Sequence, residues 1–208
     1  MGCTEPAAVS LCVARATEQL GYLPETIELS LSGNIIKNAM GVGIPGTGMI
    51  GLPIAISLGA VIGKSEYGLE VLKDLTPQSL ADGREYMDGH CIDIKLKDGI
   101  TEKLYIEVTC EASGHTATAV ISGSHTHFVY IAKDGATVMD RRTGTASDDD
   151  NDDIRLSMRL VYDFATTTPA DDLRFILETK EYNMRAASEA IKGNYGHNLG
   201  KTIDRPLS

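Results

Sequence analysis

The chain has 208 residues, of which 42% are hydrophobic and 23% charged, so it holds enough apolar mass to bury a core. Its net charge of −10 would repel a phosphate backbone, and we therefore expect neither nucleic acid nor an anionic membrane as a partner. No stretch has the uninterrupted apolar length of a membrane-spanning helix, and the start lacks the pattern of a signal peptide. We therefore expect a cytoplasmic protein.

Residues 1–21 predict an N-terminal helix. Thr4 can cap it and Pro6 suits its first turn, because proline lacks the amide hydrogen that a helix start leaves unused. Apolar residues from Val9 onward recur at helical spacing, and Gly21 is typical of a helix end.

Residues 22–145 predict an α+β domain. Apolar and polar residues alternate in several short segments, which is the period of half-buried strands, and Asp98-Gly99 is a typical hairpin turn between two of them. Successive hairpins favour a largely antiparallel sheet that is covered by helices on one face. The apolar segment 52–62 predicts the main covering helix, and shorter helices are expected at 67–75 and 77–87.

Residues 146–208 predict an acidic linker followed by a helical segment. The linker is the aspartate-rich run 147–153, which is too charged to be buried. Three helices are then predicted from their apolar spacing. The first covers 154–165, the second begins at the capped start Thr168-Pro169, and the third covers 182–191.

Two glycine patterns fail as nucleotide sites. Gly41 to Gly46 spells G-x-G-x-x-G, but Pro45 interrupts it and no parallel β-α-β unit follows, as a dinucleotide site requires. Gly63-Lys64-Ser65 resembles the end of a P-loop, but the upstream glycine is displaced by one position, to Gly59.

The histidines leave two interpretations open. His125 and His127 are two apart on a predicted strand and would share one face, where they could bind a metal with His115 from a neighbouring strand. The alternative, which the spacing alone favours, is that they are ordinary polar strand residues. The four cysteines contain no C-x-x-C pair, so we expect free thiols or ligands to a shared metal.

Two further segments are candidates for chemistry. Cys3 precedes a helix start, where the helix dipole favours a thiolate, so it is either a metal ligand or nucleophile or a plain terminal thiol. The turn that contains Asn34, Lys37 and Asn38 could bind a carboxylate, or it could be a solvated loop.

Taken together and in order, several segments resemble the L-cysteine desulfidase family, which is related to iron–sulfur L-serine dehydratases. The resemblance lies in Gly2-Cys3-Thr4-Glu5-Pro6, in residues 32–38, 41–53 and 68–74, in Ser124-His125-Thr126 and in residues 195–201. It spans essentially the whole chain.

The resemblance implies a lyase without pyridoxal phosphate that eliminates the β-substituent of L-cysteine or L-serine. Such enzymes use a four-iron four-sulfur cluster, with one iron acting as a Lewis acid on the leaving group. The resemblance makes Cys3 a cluster ligand, with Thr4 and Glu5 beside it. It also makes Glu5 and His125 candidate catalytic residues, and it makes Asn34, Lys37, Asn38 and Thr126 candidates for holding the substrate.

Members of that family are about twice as long, and their other cluster cysteines lie in a C-terminal helical domain. The resemblance therefore implies that this chain is the N-terminal half of such an enzyme, whose partner is the C-terminal helical half. We expect the isolated chain to bind no stable cluster and to be inactive, and a homo-oligomer remains open. The alternative is a non-catalytic module that binds or responds to an amino acid.

Overall fold

The computed structural model describes residues 3–142, 157–193 and 199–204, and these fall into two compact units, Met1–Ala146 and Ser147–Ser208. The predicted α+β class, with a largely antiparallel sheet, an N-terminal helix and C-terminal helices, is confirmed. None of the described helices is long and apolar enough to cross a membrane.

The first unit is built on a sheet of six strands in the order β4-β1-β5-β6-β7-β8, with a separate two-stranded hairpin, β2-β3. The strands are β1 (Thr26–Leu31), β2 (Gly43–Ile44), β3 (Met49–Ile50), β4 (Cys91–Leu96), β5 (Tyr105–Ala112), β6 (His115–Ser122), β7 (Phe128–Lys133) and β8 (Ala136–Asp140). The helices of this unit are α1 (Thr4–Leu20), α2 (Gly33–Ala39), α3 (Leu52–Val61), a 3₁₀ helix (Ser65–Glu70) and α4 (Pro77–Gly89).

The sheet departs from the predicted succession of hairpins at one place. The turn at Asp98-Gly99 was expected to join β4 and β5 as neighbours, and this is wrong. Strand β1 lies between them, pairing in parallel with β4 and antiparallel with β5. Leu29 of β1 consequently faces Ile94 on one side and Val108 on the other, and it is fully buried.

Helix α1 forms the centre of the first unit. It contacts β5 and β6 of the sheet and also α3, and its residues from Ala8 to Ala14 are all buried. The hydroxyl of Ser10 donates to the Ala55 carbonyl oxygen of α3 at 2.7 Å. A side chain on Gly59 would come within 2.7 Å of the Ser10 carbonyl oxygen, so the glycine allows the two helices to lie this close.

Several local predictions need correction. Cys3, not Thr4, occupies the cap position of α1. Residues 33–39, which were interpreted as a turn or loop, form helix α2. Of the helix expected at 67–75, only a 3₁₀ helix with a kink at Gly68 is present, followed by turns.

The second unit contains α5 (Met158–Thr167), α6 (Ile176–Lys192) and α7 (Leu199–Asp204). Neither α5 nor α6 has a buried residue. The acidic linker predicted at 147–153, the first part of the helix predicted at 154–165, and most of the segment 195–201 lie outside the described residues.

Candidate functional site

Cys3 stands at the start of helix α1 with its thiol turned toward the first helical turn. The residue has the extended backbone of a helix cap, and its Sγ donates a hydrogen bond to Oε2 of Glu5 at 2.6 Å. Cys3 is half-buried and its thiol is free. The motif therefore places a thiol and a carboxylate in direct contact at the positive end of a helix.

The carboxylate of Glu5 is the centre of a small hydrogen-bond network. Besides the Cys3 thiol, it accepts from the Thr4 hydroxyl at 3.4 Å and from Nδ2 of Asn38 at 3.0 Å. The bond from Cys3, and to a lesser degree the bond from Asn38, lowers the pKa of Glu5. The same thiol–carboxylate bond, together with burial, raises the pKa of Cys3. The neighbouring carboxylate therefore favours the thiol over the thiolate, against the effect of the helix dipole.

His125, which is far from Thr4 in the sequence, also belongs to this network. Its Nε2 lies 3.2 Å from the Thr4 hydroxyl, and the ring is half-buried. The histidine is not on a strand, as the sequence predicted, but in the loop 123–127 that links β6 to β7. His127 is in the same loop, and its Nδ1 contacts the Ser122 carbonyl oxygen at 3.1 Å.

Helix α2 positions Asn38 and displays the other predicted substrate residues. Lys37 and Asn38 lie three and four residues after Asn34, so both are its neighbours on the helix surface. Only Asn38 reaches the Glu5 carboxylate. The side chains of Asn34, Lys37 and Thr126 are exposed, and within the described part of the chain they have no hydrogen-bond partner.

A cavity of about 390 Å³ adjoins the Cys3 motif. Its wall is formed by the start of α1, by the β2-β3 hairpin and by the segment 69–73. Most of the lining is apolar, for example Ile44 and Leu72, but Glu70 and Lys73 bring one negative and one positive charge to it. Sequence reasoning missed both charged residues. The only signal was their place in the segment 68–74, which contributed to the resemblance but carried no assigned role.

The residues described here supply a single plausible cluster ligand. Among them, no three His, Cys, Asp or Glu side chains are grouped closely enough to hold a metal. Cys3 fits as one ligand, because its thiol is half-buried, free and oriented by a hydrogen bond to a carboxylate. Cys12 and Cys110 are buried in the core, and burial raises the pKa of both thiols, in Cys110 to about 12.

The alternative zinc site at His115, His125 and His127 is wrong on geometry. His115 begins β6, whereas the other two histidines follow the end of that strand, so roughly 23 Å of strand separates them at about 3.3 Å per residue. His115 instead pairs with Asp134 at 2.9 Å and stacks on Tyr22.

Fold and site together define an α+β protein in which a helix-capping cysteine, a carboxylate and a histidine meet beside a cavity. The chain is similar to proteins named UPF0597 protein. It is 60% identical to one from Phocaeicola vulgatus and 58% identical to one from Bacteroides fragilis, in each case over 98% of this chain and 47% of the relative. A relative from Oleidesulfovibrio alaskensis is 40% identical over 100% of this chain and 48% of its own length. No family model and no solved structure matches the chain.

These similarities correct one prediction. The assignment to the L-cysteine desulfidase family, as its N-terminal half, is wrong, because the relatives that match nearly the whole chain carry the UPF0597 name instead. The chain spans about half the length of the curated relatives it matches.

Proposed function

We propose that the chain provides one ligand and part of the substrate site of an iron–sulfur lyase that acts on L-cysteine or L-serine. The reaction is a β-elimination that gives pyruvate, ammonia and either sulfide or water. The observation that carries the proposal is the contact of the Cys3 thiol with Glu5 at 2.6 Å, beside a cavity and within reach of Asn38 and His125 through shared hydrogen bonds.

In this proposal Glu5 prepares Cys3 for metal binding. A thiol must lose its proton to become a ligand, and the Glu5 carboxylate accepts the hydrogen bond that orients this thiol. Asn38 and Thr4 hold the carboxylate in place. Glu5 is thus a positioning residue for the ligand. Its lowered pKa makes it a weak base for the carbon chemistry itself.

The cluster, when bound, would supply a Lewis-acidic iron to the departing sulfur or oxygen. The α-proton of the substrate needs a base, and His125 is the best candidate. Its Nε2 contacts the Thr4 hydroxyl at 3.2 Å, and its Nδ1 has no hydrogen-bond partner among the described residues.

The remaining ligands would come from a further polypeptide segment. The relatives have about as much sequence again beyond the match, which is room for such a segment. The second unit supports this idea, because Leu177, Met184 and Ile191 form a stripe on α6 that is 68%, 57% and 41% exposed. Exposed apolar stripes of this kind are typical of a helix that packs on a partner. We propose that the further polypeptide segment packs on this stripe of α6. We also propose the cytoplasm, where thiols stay reduced.

The test uses this chain joined to the segment that a relative carries beyond the match. After anaerobic assembly with iron and sulfide, the protein should release sulfide from L-cysteine, and Cys3→Ala should abolish that release. The matched control is Cys91→Ala, an exposed thiol on the edge strand β4, which should keep full turnover. Unimpaired sulfide release by Cys3→Ala would remove Cys3 from the site.

A second candidate is an amino-acid-binding module without catalysis. It is favoured by the position of the cavity, whose lining lies entirely in the first unit and does not depend on a metal. Binding of L-cysteine by the joined protein, without any release of sulfide or pyruvate, would support the module over the lyase.

A further inference from the structure

We propose that the cavity beside Cys3 binds the charged head of an α-amino acid, with the substrate ammonium at Glu70 and the substrate carboxylate at Lys73. This deepens the proposed function, since it places the amino acid next to the thiol that the lyase proposal uses. The proposal places the charged head of the amino acid in the cavity and not at helix α2, where the sequence predicted it. Binding itself needs no metal.

The segment that carries the two charges is held at both ends. Lys64 and Asp74 form an ion pair at 2.7 Å, which closes the segment between them. At the start of the 3₁₀ helix, the backbone amide of Ser65 donates to the Glu18 carboxylate of α1 at 2.7 Å. The segment therefore has a fixed position relative to the helix that begins with Cys3.

Lys73 is oriented by an aromatic ring and keeps its donors available. Its Nζ lies 3.4 Å from the centre of the Tyr67 ring, a close cation–π contact. An ammonium that rests on a ring face still has N–H groups that point away from the ring, and these can donate to a carboxylate. Lys73 forms no salt bridge within the described part of the chain, although its charge also acts on the neighbouring Asp74.

Glu70 presents the opposite charge one turn away. The two residues are three apart with a helical backbone at Val71 between them, so they lie on the same side of the segment. Even so, they form no ion pair with each other, and Glu70 has no salt bridge to any described residue. Two opposite charges at this spacing that form no salt bridge with each other match the ammonium and carboxylate of one zwitterion.

The rest of the cavity indicates the kind of side chain. Ile44, Leu69 and Leu72 give it apolar walls, and Cys3 lies at its edge. A volume of about 390 Å³ falls within the usual range for small-molecule sites. Such a lining suits a short uncharged side chain. Asn34 and Lys37 are not part of the lining.

The experiment is isothermal titration calorimetry of the full chain under anaerobic conditions. The probes are L-cysteine and S-methyl-L-cysteine, then N-acetyl-L-cysteine, which lacks the ammonium, and cysteamine, which lacks the carboxylate. We expect both amino acids to bind and each truncated probe to bind about tenfold more weakly, since one charged hydrogen bond is lost in each case.

Two substitutions assign the contacts. Glu70→Gln should weaken L-cysteine about tenfold and leave N-acetyl-L-cysteine unchanged, whereas Lys73→Gln should weaken L-cysteine and leave cysteamine unchanged. The matched control is Glu66→Gln, an exposed carboxylate in the same 3₁₀ helix, which should not alter binding. Lys37→Gln on α2 separates the cavity from the substrate site that the sequence predicted. Circular dichroism of each variant checks that it is folded.

The proposal is overturned if the chain binds neither amino acid, if Glu70→Gln and Lys73→Gln bind L-cysteine as the unchanged chain does, or if Lys37→Gln is the variant that weakens binding. The outcome is independent of the lyase proposal. Loss of iron from Cys3→Ala tests the lyase, while calorimetry of the metal-free chain tests the cavity.

Discussion

The two units of this protein bury their apolar side chains very differently. In the first unit, α1 and the strands β1, β5 and β6 contribute side chains that are almost completely hidden, such as Leu11, Leu29 and Ile121. In the second unit, large apolar residues such as Phe164 and Leu177 are 56% and 68% exposed, and neither α5 nor α6 has a buried residue.

This difference indicates which part of the protein carries its own stability. Burial of apolar surface is the main favourable term in folding, at roughly 25 cal/mol per Å², and the first unit obtains it from its own elements. The helices of the second unit leave large apolar side chains exposed instead. The candidate site lies wholly in the first unit.

The largest expected contrast comes from removing a leucine in each unit. Leu29→Ala should lower the free energy of unfolding by about 2–5 kcal/mol, because it leaves a cavity in the middle of the sheet. Leu177→Ala should change it by less than about 0.5 kcal/mol, because that side chain is already exposed. Urea denaturation followed by circular dichroism measures both. Equal losses from the two variants would contradict the account of the units.

A smaller effect is expected where α1 and α3 approach each other. Gly59→Ala should cost about 1–3 kcal/mol, because its new methyl group would meet the backbone of Ser10. Gly89 ends α4 with open space around it, so Gly89→Ala is the matched control and should have little effect on stability. The same midpoint of thermal unfolding for both variants would contradict the close contact between α1 and α3.

The smallest expected effect concerns the ion pairs of the two units. Burial would raise the pKa of Glu107, but hydrogen bonds from Lys97 and Tyr105 outweigh it and lower the pKa below the ordinary 4.5. The stabilisation is therefore present above pH 4.5 and is lost as the pH falls through the lower pKa of the folded state. Glu107→Gln should cost about 1 kcal/mol at neutral pH.

The pH dependence is the sharper part of that prediction. The difference in unfolding free energy between the unchanged chain and Glu107→Gln should shrink as the pH falls below 4.5. Asp163→Asn removes the exposed pair with Arg159 on α5 and should have no measurable effect. A constant difference at all pH values would show that Glu107 stabilises the sheet by some means other than its charge.

Local patterns in the sequence predicted most elements of the first unit but not how its strands pair. Alternation located β1 correctly, because one face of that strand is buried and the other is not. The parallel pairing of β1 with β4 could not be predicted, because it joins residues more than sixty positions apart and leaves no mark on either strand. Asp98-Gly99 does form a turn, yet the chain then passes to the far side of β1.

The candidate site was predicted in part. The Cys3 motif and Asn38 were identified because their segments resemble motifs of a known family. In the structure, both Cys3 and Asn38 donate a hydrogen bond to Glu5. The charged pair in the cavity could not be predicted, because the sequence placed Glu70 and Lys73 on an expected helix at 67–75 and only the fold brings them into the cavity wall with the start of α1.

The most direct test of the central claim is the iron content of the joined protein after anaerobic reconstitution, compared between Cys3→Ala and Cys91→Ala. If Cys3 is a cluster ligand, Cys3→Ala should lose most of its iron and sulfide while Cys91→Ala keeps both. Equal iron and sulfide in the two variants would contradict the claim.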